Sequence, residues 1–118
     1  MDPGHAWLID AFGCDPACLR SAATLAGVFD SCVAELRLTP ISSAVWHAFP
    51  DPGGVTGFLL LSESHLSVHT FPERGFAAFD LYCCRSRADW PWAERLRSLL
   101  GASGVVVRSL PRGETSDR

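Results

Sequence analysis

The 118-residue sequence predicts an α+β fold: a two-layer α/β sandwich with a mainly antiparallel sheet and two helices on one face. Three observations predict it. Apolar patterns of period two and period 3.6 succeed one another as strand, helix, four strands, helix, strand. The turns between the middle strands are too short for a crossover helix, so sequence neighbours pair antiparallel. Several strands also carry large apolar residues on both faces, Trp46 and Phe49 in one and Phe79 and Tyr82 in another. The face away from the helices is therefore expected to be covered by a second copy, in a homodimer with packed sheets.

Residues 5–12 alternate Trp7, Ile9 and Ala11 against Ala6, Leu8 and Asp10 and read as the first strand, ended by Gly13. Asp15 as N-cap and Pro16 at the first helical position then open a helix. Leu25, Phe29, Cys32, Val33 and Leu36 form its apolar stripe, which runs to Arg37. Thr39-Pro40 closes it, because the residue before proline is pushed out of the helical region. Strands are expected at 41–49, 55–62, 64–71 and 76–84, with breaker-rich turns at 50–54 (PDPGG) and 72–75 (PERG). Residues 85–87 lead to a second helix with Asp89 as its cap, Pro91 in its first turn and Trp92, Leu96, Leu99 and Leu100 as its buried stripe. Gly101 and Gly104 bracket its end, 105–110 form the last strand, and 111–118 a polar tail.

A net charge of −3 with 47% hydrophobic and 19% charged residues describes neither a disordered chain nor a nucleic-acid binder. No apolar run nears the roughly 18 residues of a membrane span, and no basic region precedes an apolar segment at the N-terminus. Five cysteines, an odd number, point to free thiols. The expectation is a single-domain cytoplasmic protein without a membrane partner. All ten basic residues are arginine, which excludes lysine Schiff-base chemistry, anchored pyridoxal phosphate and biotin carriage. The Cys14-x-x-x-Cys18 pair has no complementary Cys or His pair at a zinc spacing, so no metal site is expected.

Reactive side chains gather in 58–84, FLLLSESHLSVHTFPERGFAAFDLYCC, where Glu63-Ser64-His65 interrupts an apolar ribbon. At a strained junction a serine hydroxyl can attack the carbonyl that precedes it, giving an ester. β-Elimination of that ester splits the chain, and hydrolysis of the dehydroalanine leaves a pyruvoyl group. The elimination needs a base near neutrality, for which His65 and His69 are the candidates. Strand alternation puts both on the face opposite Ser64, so the reaction requires a bend at the junction. Taken alone, the same residues favour a plainer reading as polar positions of a half-exposed strand. Cys84, at the strand end, can serve as a general acid, while Cys14, Cys18, Cys32 and Cys83 read as small hydrophobes.

The run ESHLSVHTFPERGFAAFDLYCC resembles the processing and active-site region of the short prokaryotic S-adenosylmethionine decarboxylase proenzymes. That pattern is Glu-Ser-His, a second histidine four positions on, Thr, an aromatic, Pro and Glu, then Gly-aromatic-Ala-Ala, Asp and Cys. The resemblance extends to Gly4-His5, Gly13-Cys14-Asp15-Pro16, His47, Phe49, Gly54-Val55-Thr56-Gly57 and Arg112-Gly113.

It implies autocleavage between Glu63 and Ser64 into a β chain, 1–63, and an α chain, 64–118, with Ser64 becoming a covalent pyruvoyl cofactor. His69 matches the processing histidine and Thr56 a supporting hydroxyl. Cys84, rather than Cys83, matches the group that protonates the substrate carbon after carbon dioxide leaves. Phe49 and Phe71 match the residues that flank adenine, and Glu73 the one that holds the ribose. The implied activity converts the small-molecule substrate S-adenosylmethionine to an aminopropyl donor for spermidine synthesis. A pyruvoyl carbonyl takes up the substrate amine and accepts the electron pair, so a lysine-free chain can still decarboxylate. Departures flank the substrate positions: Ala48 for lysine, Phe71 for tryptophan, one extra residue in PDPGG, and Arg85-Ser86 after Cys84. A pyruvoyl-dependent decarboxylase of arginine or ornithine therefore stays open, as does a non-processing αβ interaction module.

Overall fold

In the computed structural model, which describes residues 3–84 and 89–114, β1 (His5–Phe12) turns Trp7, Ile9 and Ala11 into the core. Asp15 caps α1 (Pro16–Leu19), its carboxylate accepting the Ala17 N–H at 3.0 Å. The one helix expected as far as Arg37 is two. Ser21 is extended (φ −105°, ψ 105°), and its hydroxyl accepts the Thr24 N–H at 3.1 Å to start α2 (Ala22–Leu36). A serine that can bond the backbone ahead of it competes with helix continuation, and here it resets the helix. Arg37 ends α2 in the left-handed region (φ 56°), so the stop lies ahead of Thr39-Pro40.

The strand expected at 41–49 contracts to β2 (Val45–Ala48), because Pro40 makes only an isolated bridge to Leu61 and the Ser42 hydroxyl turns back to donate to the Ser43 carbonyl. β3 (Val55–Leu60), β4 (Ser64–Phe71), β5 (Phe76–Cys83) and β6 (Gly104–Pro111) follow as expected. All pairs are antiparallel, in the sheet order β2-β3-β4-β5-β1-β6. Asp89 does not cap the last helix. α3 (Trp92–Leu100) starts at Pro91 without a side-chain cap, while the Asp89 carboxylate accepts the Trp7 indole N–H at 3.2 Å. The 85–87 connector, with the Arg85-Ser86 departure, and the end of the polar tail lie outside the described residues.

Leu25, Val28, Phe29 and Cys32 of α2 and Trp92, Leu96 and Leu100 of α3 share one core with Leu66, Val68, Phe79 and Leu81 of the central strands. Phe79 is fully buried, with its ring 5.7 Å from that of Trp92. Phe79→Ala is expected to lower stability by about 3–5 kcal/mol in urea unfolding. A loss under about 1 kcal/mol would place the core's weight elsewhere. The other sheet face carries Phe12, Phe49, Phe58, Leu60, Phe71, Val106 and Leu110, each at least 40% exposed. Among the described residues, no helix is long and apolar enough to cross a membrane.

Candidate active site

Residues opposed on β3 and β4 meet at one end of the open face. Thr56 pairs with His69, its Oγ1 3.1 Å from the imidazole Nδ1. The 50–54 turn folds the end of β2 back over this pair through bonds from the Gly53 N–H to the Pro50 carbonyl (2.8 Å) and from the Phe49 N–H to the Gly54 carbonyl (2.9 Å). Position 54 must be glycine, since a Cβ there would run into the Thr70 carbonyl. Thr70 itself is buried and ties three elements together: its hydroxyl donates to the Leu19 carbonyl (2.7 Å) and accepts the Val55 N–H (2.9 Å).

Beyond β4, Pro72 starts a single 3-10 turn, Pro72–Arg74, that presents Glu73. Together these segments enclose a cavity of about 430 Å³ lined by Phe49, Asp51, Thr56, His69, Phe71 and Glu73. Phe49 is braced edge-on by His47 at 4.5 Å and Phe71 by stacking on Phe76 at 5.7 Å. Five of the residues singled out in the sequence, Phe49, Thr56, His69, Phe71 and Glu73, thus come together. Asp51, which also lines the cavity, lies in the PDPGG turn, whose extra residue was placed beside the substrate positions without any one of its side chains being singled out.

Glu63, Ser64 and Cys84 lie at the opposite end of the sheet. No bend forms at the junction: β4 pairs with β5 without interruption from Ser64↔Cys83 to Phe71↔Phe76. Ser64, 7% exposed, begins the helix-side row of β4, whereas His69 is on the open face. Five strand positions separate them by about 16 Å. His65 is no closer to serving as base, because its ring stacks on the open face between Phe58 (5.7 Å) and Tyr82 (5.8 Å).

The junction is a tight turn. The Leu61 N–H donates to the Ser64 carbonyl (3.0 Å), the Cys84 N–H to the Glu63 carbonyl (3.2 Å) and the Ser62 hydroxyl to Glu63 Oε2 (2.9 Å). The carbonyl next to the Ser64 hydroxyl is therefore polarised by a fixed backbone donor, as an oxyanion site requires. The Cys84 thiol lies 3.6 Å from the Tyr82 hydroxyl, which in turn donates to the Pro3 carbonyl. Tyr82 was not singled out in the sequence as a site candidate, although two-residue spacing along a strand puts 82 and 84 on one side.

Past the connector, the Trp90 indole donates to Glu35 Oε1 at 2.7 Å and Arg95 Nε at 3.1 Å. Those bonds, the indole's first, hold the Glu35 carboxyl below its ordinary range. The remaining thiols are set apart by burial, which pushes Cys14 up to about 11 and Cys32 up to about 12 and raises Cys18. Cys83 is fully buried. At neutral pH these sulfurs pack as apolar groups.

Comparison with known proteins bears on both ends of the sheet. The family model described as S-adenosylmethionine decarboxylase matches residues 5–113. An S-adenosylmethionine decarboxylase proenzyme from Prochlorococcus marinus (strain MIT 9313) is 36% identical over 110 residues, 92% of this chain and 86% of that one. One of the same name from Pyrococcus abyssi (strain GE5 / Orsay) is 37% identical over 86 residues, 73% of this chain. The match spans 60% of the Pyrococcus relative's length. The crystal structure of the adenosylmethionine decarboxylase from Aquifex aeolicus VF5 superposes with a TM-score of 0.79 at 26% identity, covering 99% of this chain and 96% of that one.

Proposed function

Since the chain belongs to the S-adenosylmethionine decarboxylase family, we propose that it is a proenzyme that cuts itself between Glu63 and Ser64 and then decarboxylates S-adenosylmethionine. The observation that carries this reading is the bond from the Cys84 N–H to the Glu63 carbonyl oxygen, 3.2 Å long. Ser64 Oγ attacks that carbonyl carbon, the C–N bond breaks and the acyl group moves to oxygen, while the Cys84 N–H stabilises the oxyanion. Removal of the Ser64 α-proton then expels Glu63 as a carboxylate, and hydrolysis of the new chain end releases ammonia. Position 64 fits a pyruvoyl group: a small, nearly buried side chain at the first residue of a strand, where a new chain end interrupts no ladder. When present, the group supplies an electron sink for loss of carbon dioxide. The Cys84 thiol holds the proton returned to the substrate carbon, and Tyr82 orients that thiol.

The base for the α-proton is His69 of a second copy. In one chain His69 stands about 16 Å from Ser64 along β4, and the apolar open face suits a homodimer that sets the β4 end carrying Ser64 beside the cavity end of the other sheet. Thr56 Oγ1 orients the imidazole through Nδ1. Phe49 and Phe71 flank the adenine and Glu73 takes the ribose hydroxyls. A cavity of about 430 Å³ between two phenylalanines suits a nucleoside better than ornithine or arginine. All five cysteines are free, which suits a cytoplasmic enzyme. Carbon dioxide release from carboxyl-labelled S-adenosylmethionine is the expected result. Release from arginine or ornithine alone would overturn the substrate assignment.

A further inference from the structure

The turn at 50–54 holds a carboxylate with no structural task. Asp51 makes no hydrogen bond or ion pair among the described residues. An aspartate that only shapes a turn bonds the backbone two residues on, but here the Gly53 N–H goes to the Pro50 carbonyl instead. Nor is Asp51 neutralised by the cation that meets this turn. Arg20 Nε donates to the Pro52 carbonyl at 3.0 Å, and the arginine stem lies against Gly53, which has φ +87°. The turn is thus fixed from Arg20 on one side and Thr70 on the other, and Asp51 is left at the cavity wall. Asp51 and Glu73 are the carboxylates lining that cavity, and no arginine lines it.

We propose that Asp51 is a specificity-determining residue of this cavity: its carboxylate favours a ligand carrying positive charge at sulfur over the uncharged thioether otherwise like it. This rests on the reading of the cavity as the adenosyl site. The mechanism is electrostatic, since a fixed negative charge at the wall of a partly enclosed space attracts a sulfonium and leaves a neutral sulfur unaffected. The Glu73 carboxylate lines the same cavity, so loss of Asp51 reduces the preference without abolishing it.

The test uses the full chain carrying Ser64→Ala, so that no ligand is consumed, and measures calorimetric binding of S-adenosylmethionine and of S-adenosylhomocysteine. Adding Asp51→Asn, which keeps the side-chain shape, is expected to weaken S-adenosylmethionine about threefold to tenfold at low salt and leave S-adenosylhomocysteine unchanged. The difference should shrink at high salt, and Asp51→Glu should retain the preference. Equal weakening of both ligands would make Asp51 an acceptor for the shared nucleoside and overturn the proposal, as would an unchanged ratio. If neither ligand bound before Asp51 was altered, the adenosyl reading would fall, and this inference with it.

Discussion

Ser64→Ala is expected to keep the chain whole and to eliminate decarboxylation. The hydroxyl is the only nucleophile at the junction placed beside the Glu63 carbonyl by covalent geometry alone, and alanine offers nothing in its place. Intact-mass measurement should find residues 1–118 uncut after long incubation, with turnover down about 10⁴-fold or more. Cys84→Ala should behave differently. Its backbone N–H, the donor to the Glu63 carbonyl, survives the substitution, so cleavage continues, while loss of the thiol proton lowers turnover about 10²–10⁴-fold. Cleavage of the Ser64→Ala chain, or full turnover in either variant, would contradict these roles.

The second large effect is expected from mixing two inactive chains. Alone, His69→Ala should not cleave, because it lacks the base, and Ser64→Ala should not cleave, because it lacks the nucleophile. Because Ser64 and His69 sit about 16 Å apart at opposite ends of β4, the expectation is that a mixed dimer joins the serine of the His69→Ala chain to the histidine of the Ser64→Ala chain. Co-expression should therefore restore cleavage of the His69→Ala chain, with a large share of it processed, and leave the Ser64→Ala chain intact. If the His69→Ala chain cuts itself without its partner, or stays whole beside it, the base does not come across a dimer.

That separation is where the sequence reading reached its limit. Strand periodicity located β1, β3, β4 and β5 closely, because alternating burial is a local property of the chain. Its warning that Ser64 and His69 face opposite ways was correct. The bend introduced to reconcile them has no counterpart in a ladder paired from Ser64 to Phe71. Linear order cannot tell whether a site is shared between copies, and the sequence reading brought Ser64 and His69 together within one chain. Helix ends were misjudged for a different reason. Ser21 and Asp89 both look like caps, and which of them serves depends on partners far away in sequence: Asp89 is taken by Trp7, whereas Ser21 is not engaged elsewhere. Asp51 escaped notice because turn chemistry accounts for an aspartate between two prolines without any ligand.

The strand order carries a further consequence for the proposed division of the backbone. A cut before Ser64 would leave β1, β2 and β3 with α1 and α2 in one piece, and β4, β5 and β6 with α3 in the other. Because β1 lies between β5 and β6, the two pieces are interleaved, joined along three seams: β3 to β4, β5 to β1, and β1 to β6. The scission would open one surface turn and leave every ladder and the common core in place. Two polypeptides would then melt as one cooperative body, and only denaturant would part them.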